Sequence, residues 1–226
     1  MKLLLLPFAA SFLCLGALRA DTIIVEKIEG VGQAGEMTMK MKDNKSRIDI
    51  PPAVSMITDK DTGDMITIMH AQKVYMKMSG AATKALIEQV RKATPGGDTP
   101  PKLTATGKKE KINGYDTEEY TTSIGAMKMS YWVAPNYPDY KSVLSEMMKF
   151  QKGSLSSVTK GMAPAAEDFT GMPIRTRMDN GARTTTTTLV SVTSGTVDPK
   201  EFNIPDGYKE LPMPSFGAPP AAAKTP

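Results

Sequence analysis

Apolar and polar residues alternate one by one along much of this chain after residue 20. In Gly35–Lys42, Met37, Met39 and Met41 alternate with Thr38, Lys40 and Lys42. Side chains two apart in a strand share a face, so this stretch predicts a strand with a methionine side. Thr22–Glu29 is β-branched and predicts the strand before it. Asp43-Asn44-Lys45 turns the chain into Arg47–Ile50, which sets Ile48 and Ile50 on one face and Arg47 and Asp49 on the other. Val54–Thr58, Met65–His70 and Lys73–Met78 continue the pattern around polar turns. Lys40, Lys42 and Lys77 fall opposite the methionines and are expected in solvent.

The period then changes. Ala81–Ala93 carries Leu86, Ile87 and Val90 as one helical stripe. Residues 94–101, rich in Pro and Gly, predict a linker or exposed loop. Alternation resumes in Leu103–Ile112, turns at Asn113-Gly114, a strong hairpin signal, and returns in Tyr115–Thr122. Gly125–Val133 sets Met127, Met129, Tyr131 and Val133 on one side. Pro135 and Pro138 prepare a helix over Asp139–Lys152 with Tyr140, Val143, Leu144 and Met147 on one stripe. Residues 153–172 give no clear pattern. Ile174–Met178 and Arg183–Thr193 predict a last hairpin about Asp179-Asn180-Gly181, with Phe202 and Ile204 anchoring the chain end. Strands, helix, strands, helix, strands is not the strict alternation of a parallel sheet. The expected fold class is α+β: one curved, mostly antiparallel sheet with two helices packed against one face.

Residues 1–20 join a positive start at Lys2 to an apolar run from Leu3 to Leu18 and a small residue, Ala20. This pattern predicts a cleaved secretory signal peptide, a retained membrane anchor being the alternative. Cleavage after Ala20 removes Cys14, the single cysteine, and with it any thiol nucleophile or disulfide. It also removes Lys2 and Arg19, lowering the formal net charge from +4 to +2. No long basic block exists, so no nucleic-acid partner is expected. No later segment is apolar and long enough to span a bilayer, so no stable membrane insertion is expected after signal cleavage. Residues 212–226 are rich in Pro and Ala and are expected to be disordered.

Formal motifs fail on their surroundings. Gly30, Gly32 and Gly35 match a dinucleotide fingerprint, but a strand pattern follows where a phosphate-binding helix is required. Asp59–Asp64 resembles the start of a calcium loop, yet glycine stands fifth and His70 occupies the twelfth place. Ser157-Val158-Thr159-Lys160 lacks the companion elements of serine acylases. His70 is the only histidine, which excludes a Ser-His pair or a multi-histidine metal site on this reading. Glu118 and Glu119 point to opposite sides of a strand, the wrong geometry for an acid/base pair. Asn44-Lys45-Ser46 is a formal glycosylation site. No catalytic constellation and no cofactor are expected.

Methionine is the unusual component, 17 residues against 6 Phe and 1 Trp. Three readings stay open. The Met-x-Met rows fill a core; or they line a soft cavity for variable apolar ligands, because thioether chains adapt to irregular shapes; or they bind copper(I). Loss of Cys14 and a lone His70 weigh against copper. The candidate ligand-binding residues are Met37, Met39, Met41, Ile48, Ile50, Met76, Met78, Met127, Met129 and Tyr131, with no catalytic or metal-binding residue among them.

Lys45–Ile50, Asp64–His70, Lys73–Met78 and Ile112–Tyr120 resemble an uncharacterised secreted bacterial family, the domain-of-unknown-function family numbered 4412. The ending Val197-Asp198-Pro199-Lys200-Glu201-Phe202-Asn203-Ile204-Pro205-Asp206-Gly207-Tyr208 is similar to the closing segment of lipoprotein-carrier (LolA/LolB-like) proteins. That resemblance implies a half-open barrel over residues 21–211 with helices on its concave face. It further implies a periplasmic or secreted, non-enzymatic protein whose partner is a lipid or acyl-bearing ligand. A structural or interaction role without a ligand is the remaining alternative. Ligand identity and oligomeric state are not readable from the sequence.

Overall fold

The computed structural model describes residues 21–30, 33–50, 52–93, 101–149 and 163–212. The expected leader, most of the expected linker and nearly all of the Pro/Ala-rich tail lie outside these residues. Each alternating run becomes a strand: β1 (Asp21–Gly30), β2 (Gln33–Lys42), β3 (Lys45–Ile50), β4 (Val54–Asp59), β5 (Met65–Met69) and β6 (Val74–Met78). After α1 (Gly80–Ala93) come β7 (Thr104–Ile112), β8 (Tyr115–Ile124) and β9 (Met127–Ala134), then α2 (Tyr140–Lys149), β10 (Met172–Asp179) and β11 (Thr184–Gly195). A two-residue strand, β12 (Lys209–Glu210), ends the order. The helix expected over Asp139–Lys152 is seen to Lys149, and its remainder falls outside the described residues.

The strands form one open, curved sheet of twelve, ordered β12-β6-β5-β4-β3-β2-β1-β11-β10-β9-β8-β7. Two meanders, β1 to β6 and β7 to β11, are joined where β1 pairs with β11 from Asp21↔Gly195 to Gly30↔Thr185. Pairing is antiparallel except for β12, which runs parallel to β6 and covers its edge. Among the described residues no helix is long and apolar enough to cross a membrane.

Turn chemistry places the meanders. Asn113 and Gly114 both have positive φ (50° and 84°), which the two-residue turn between β7 and β8 requires. Asp59 accepts hydrogen bonds from the amides of Asp61 (2.9 Å) and Thr62 (3.1 Å), so the calcium-like segment is a tight polar turn. α1 starts against that turn. A Cβ on Gly80 would lie 1.9 Å from the Thr62 carbonyl oxygen, and the Gly80 amide donates to Asp64 Oδ1 at 2.7 Å.

Each face of the sheet has its own apolar core. On the first face Ile24, Met41, Tyr131, Ile174 and Leu189 pack with Leu144 of α2 and with Phe169, which follows a 3-10 turn at Ala166–Asp168. On the second, Ile57 and Ile68 pack with Val197 and Phe202, flanked by Tyr75 and Tyr208. Full burial of such side chains contributes about 1.5–3 kcal/mol each. Phe202 therefore anchors the chain end as expected, while Ile204 is half-buried. The solvent-exposed lysines expected on the second face need correction. Lys40 pairs with Glu201, and Lys42 pairs with Asp21 at 2.8 Å; their side chains are 21% and 22% exposed. The returning C-terminal segment covers this part of the face, which alternation along β2 alone could not reveal. Lys77 is half exposed and pairs with Glu210 at 3.2 Å.

Candidate functional site

Residues paired across antiparallel strands share a face, so register converts the methionine rows into a surface. One rung reads Met39, Ile48, Met56, Thr67 and Met76 across β2 to β6. The next reads Met41, Ser46, Thr58, Met65 and Met78. A third continues from Met37 on β2 to Ile50, Val54, Met69 and Val74. Neighbouring strands stand ~4.8 Å apart and alternate residues ~6.8 Å, so the patch measures roughly 19 by 14 Å. Its only polar side chains are Ser46, Thr58 and Thr67. Met41 and Ser46 are buried and the other members half-buried.

The structure thus gathers Met37, Met39, Met41, Ile48, Ile50, Met76 and Met78 on one stretch of sheet. Met127, Met129 and Tyr131 share the same sheet face but sit on β9, separated from β2 by β1, β11 and β10. Curvature and α2 bring two of them back: Tyr131 is buried in the core that holds Met41, and Met39 and Met129 pack against it. Burial pushes the Tyr131 hydroxyl up to about 12, and its O–H donates to Met129 Sδ at 3.4 Å. Met127 lies at the start of β9 opposite Ile124. Three ladder methionines, Met56, Met65 and Met69, were not among the candidates, although their strands carried the same alternation.

One ionisable group borders the apolar surface. Glu26 on β1 lies between Met37 and Leu189 in register, and burial raises its pKa above the ordinary carboxylate value. At the far end of β1, Asp21 behaves oppositely. Burial works against its charge, but the Lys42 ammonium and the Val197 amide, each at 2.8 Å, outweigh that cost and lower its pKa.

The second face holds a hollow of about 430 Å³ whose lining sets Pro52 and Val54 beside Lys40, Arg47, Asp49, Ser55 and His70. Here the structure overturns the exclusion of a Ser-His pair: Ser55 Oγ lies 2.7 Å from His70 Nε2. One histidine suffices, and β4–β5 pairing supplies it. Proton accounting shows what the pair does. Ser55 accepts from Arg47 Nη2 at 3.0 Å and donates its single proton to Asp49 at 2.5 Å. His70 must then donate from Nε2, and its Nδ1 lies 2.9 Å from the Tyr208 hydroxyl. A serine whose proton is held by a carboxylate, and whose histidine neighbour is a donor, is not an activated nucleophile. Ser55 is 1% exposed. The network instead ties the sheet to the C-terminal segment, to which Arg47 also donates at the Glu201 carbonyl.

The family described as Domain of unknown function (DUF4412) matches residues 27–208, most of the chain. The chain belongs to this family. Among curated proteins none matches the sequence. Solved structures similar to this DUF4412 chain include PNGF-II, at 12% identity and TM-score 0.41, covering 86% of the DUF4412 chain and 32% of the other. The chain thus spans about a third of that protein. The lipoprotein LppX of Mycobacterium tuberculosis is similar at 13% identity and TM-score 0.39, over 78% and 88% of the two chains. A LolA superfamily protein, NE2245 from Nitrosomonas europaea, is similar at 9% identity and TM-score 0.22, over 82% and 91%.

Proposed function

We propose that this DUF4412 protein is a non-enzymatic binding protein of the bacterial envelope that holds a lipid or other acyl-bearing ligand on its methionine ladder. The observation that carries the reading is the three-rung apolar surface of β2 to β6. A surface of alternating Met, Ile and Val with three small hydroxyls offers dispersion and burial but little direction. That suits a flexible hydrocarbon better than a ligand needing fixed polar contacts. Each methylene taken from water there contributes about 0.8 kcal/mol. α1 follows Met78 directly and is the element we assign to cover the ladder, closing the sheet toward a half-open barrel with both helices on its concave side.

Native mass spectrometry of freshly purified protein tests the reading. It predicts a population carrying a lipid-sized adduct, and saturable uptake of a fluorescent fatty acid once that adduct is extracted. A clean unliganded mass together with no uptake refutes it.

A copper(I) site is the second reading, favoured by Met65 and Met78, which face each other directly across β5 and β6. Anaerobic titration against a chelator decides it. Affinity that falls on Met65→Leu with Met78→Leu supports copper, and an unchanged titration removes it.

A further inference from the structure

The second sheet face is covered by the C-terminal segment only toward β6; beyond β1 it is polar. Glu119, Trp132, Arg175 and Thr188 form one rung across β8 to β11, and Thr121, Ser130, Arg177 and Thr186 form the next. Above them lies a hollow of about 500 Å³, bordered by Glu119, Lys128, Ser130, Trp132, Arg177 and Asp179. The volume lies within the range of small-ligand sites.

Its walls are held in place. Arg175 sits over the Trp132 ring, 5.5 Å from the centroid, and is fixed by Glu110 at 2.9 Å. Glu119 is 8% exposed and accepts from Thr106 Oγ1 at 2.9 Å, with Lys108 at 3.3 Å. Three cations in the hollow, Lys109, Lys128 and Arg177, make no ion pair with any described residue, although Asp179 is the register partner of Lys128. A built wall with unmatched positive charge favours an anion. Glu119 and Asp179 in the same hollow are acceptors for hydroxyl groups, which a saccharide carries on every ring. A single indole, with no second aromatic beside it in the hollow, is a platform for one ring and not for a track of stacked bases.

We propose that this hollow is a binding site for an acidic saccharide. One pyranose rests against Trp132 with its hydroxyls donating to Glu119, and the carboxylate of a neighbouring sugar residue further along the strands meets Lys128 and Arg177. The site lies on the face opposite the methionine ladder and stands independently of the lipid reading.

Trp132 is the only tryptophan in the chain, so its fluorescence reports on this hollow alone. Titrating the purified protein with oligogalacturonate is expected to shift or quench that emission saturably. The neutral galacto-oligosaccharide of equal length is expected to bind more weakly. Lys128→Ala with Arg177→Ala, both exposed positions, is expected to leave the thermal transition unchanged and to weaken oligogalacturonate binding about tenfold. The proposal is overturned by silence of the emission, by equal affinity for the neutral saccharide, or by indifference to the double substitution. Equal affinity for inorganic phosphate or single-stranded DNA overturns it as well.

Discussion

Met56→Gln is the sharpest perturbation of the ladder. Met56 stands on the central strand of the five, between Ile48 and Thr67 in register, and is half-buried. Glutamine keeps the length of the side chain but replaces the thioether and methyl by an amide. A hydrocarbon chain crossing the sheet at this rung passes one strand width, ~4.8 Å. Disrupting contact with about three methylenes there, at about 0.8 kcal/mol each, costs about 2.4 kcal/mol. The expected dissociation constant for a fluorescent fatty acid therefore rises roughly 50-fold. Met56→Leu conserves volume and apolarity, costs under about 1.5 kcal/mol of stability, and is expected to bind like the parent. Fluorescence titration, run beside thermal denaturation of each variant, separates binding from folding. If Met56→Gln binds within twofold of the parent while its fold is intact, the ladder is not where the chain lies.

Three further outcomes follow from the polar and apolar contacts. The folded state holds the Glu26 proton to higher pH than the unfolded chain does, so stability falls as pH rises from the unfolded pKa toward the folded one. Glu26→Gln is expected to raise Tm above that window and leave it unchanged below; a pH-independent difference contradicts the assignment. Phe202→Ala empties the second core at a residue 6% exposed, with an expected loss of about 3–4 kcal/mol in urea unfolding; a loss under about 1 kcal/mol shows that the C-terminal segment is not anchored there. Ser55→Ala strands Asp49, Arg47 and His70 partners in a half-buried network and is expected to cost about 1–3 kcal/mol. A neutral effect shows that the Ser55 hydroxyl does not hold that network together.

Alternation along single strands was legible from residues alone, because facing is a period-two property of the backbone. Met37, Met39 and Met41 share a face wherever β2 sits. Which strands neighbour one another is a tertiary fact. Nothing local in Thr184–Thr188 says that β11 pairs with β1, and this closure sets how far Met129 lies from Met39. β12 escaped notice because two residues carry no pattern. The Arg47–Ser55–His70–Tyr208 network joins positions far apart in the chain, so its polar residues read as ordinary strand and turn members. Lys40 looked solvated for the same reason: its partner Glu201 arrives from the other end of the sequence. Glu26 was passed over because a glutamate in a β-branched strand reads as the outward side chain, whereas register places it beside Met37.

Methionine methyl NMR gives the most direct test of the ligand surface. With methionines labelled at the terminal methyl carbon and assigned by single Met→Leu changes, a fatty acid is added and intermolecular contacts are recorded. The account predicts contacts and shifts at Met39, Met56, Met65, Met76 and Met78 together. Binding that leaves these five resonances unmoved, with contacts elsewhere, contradicts it.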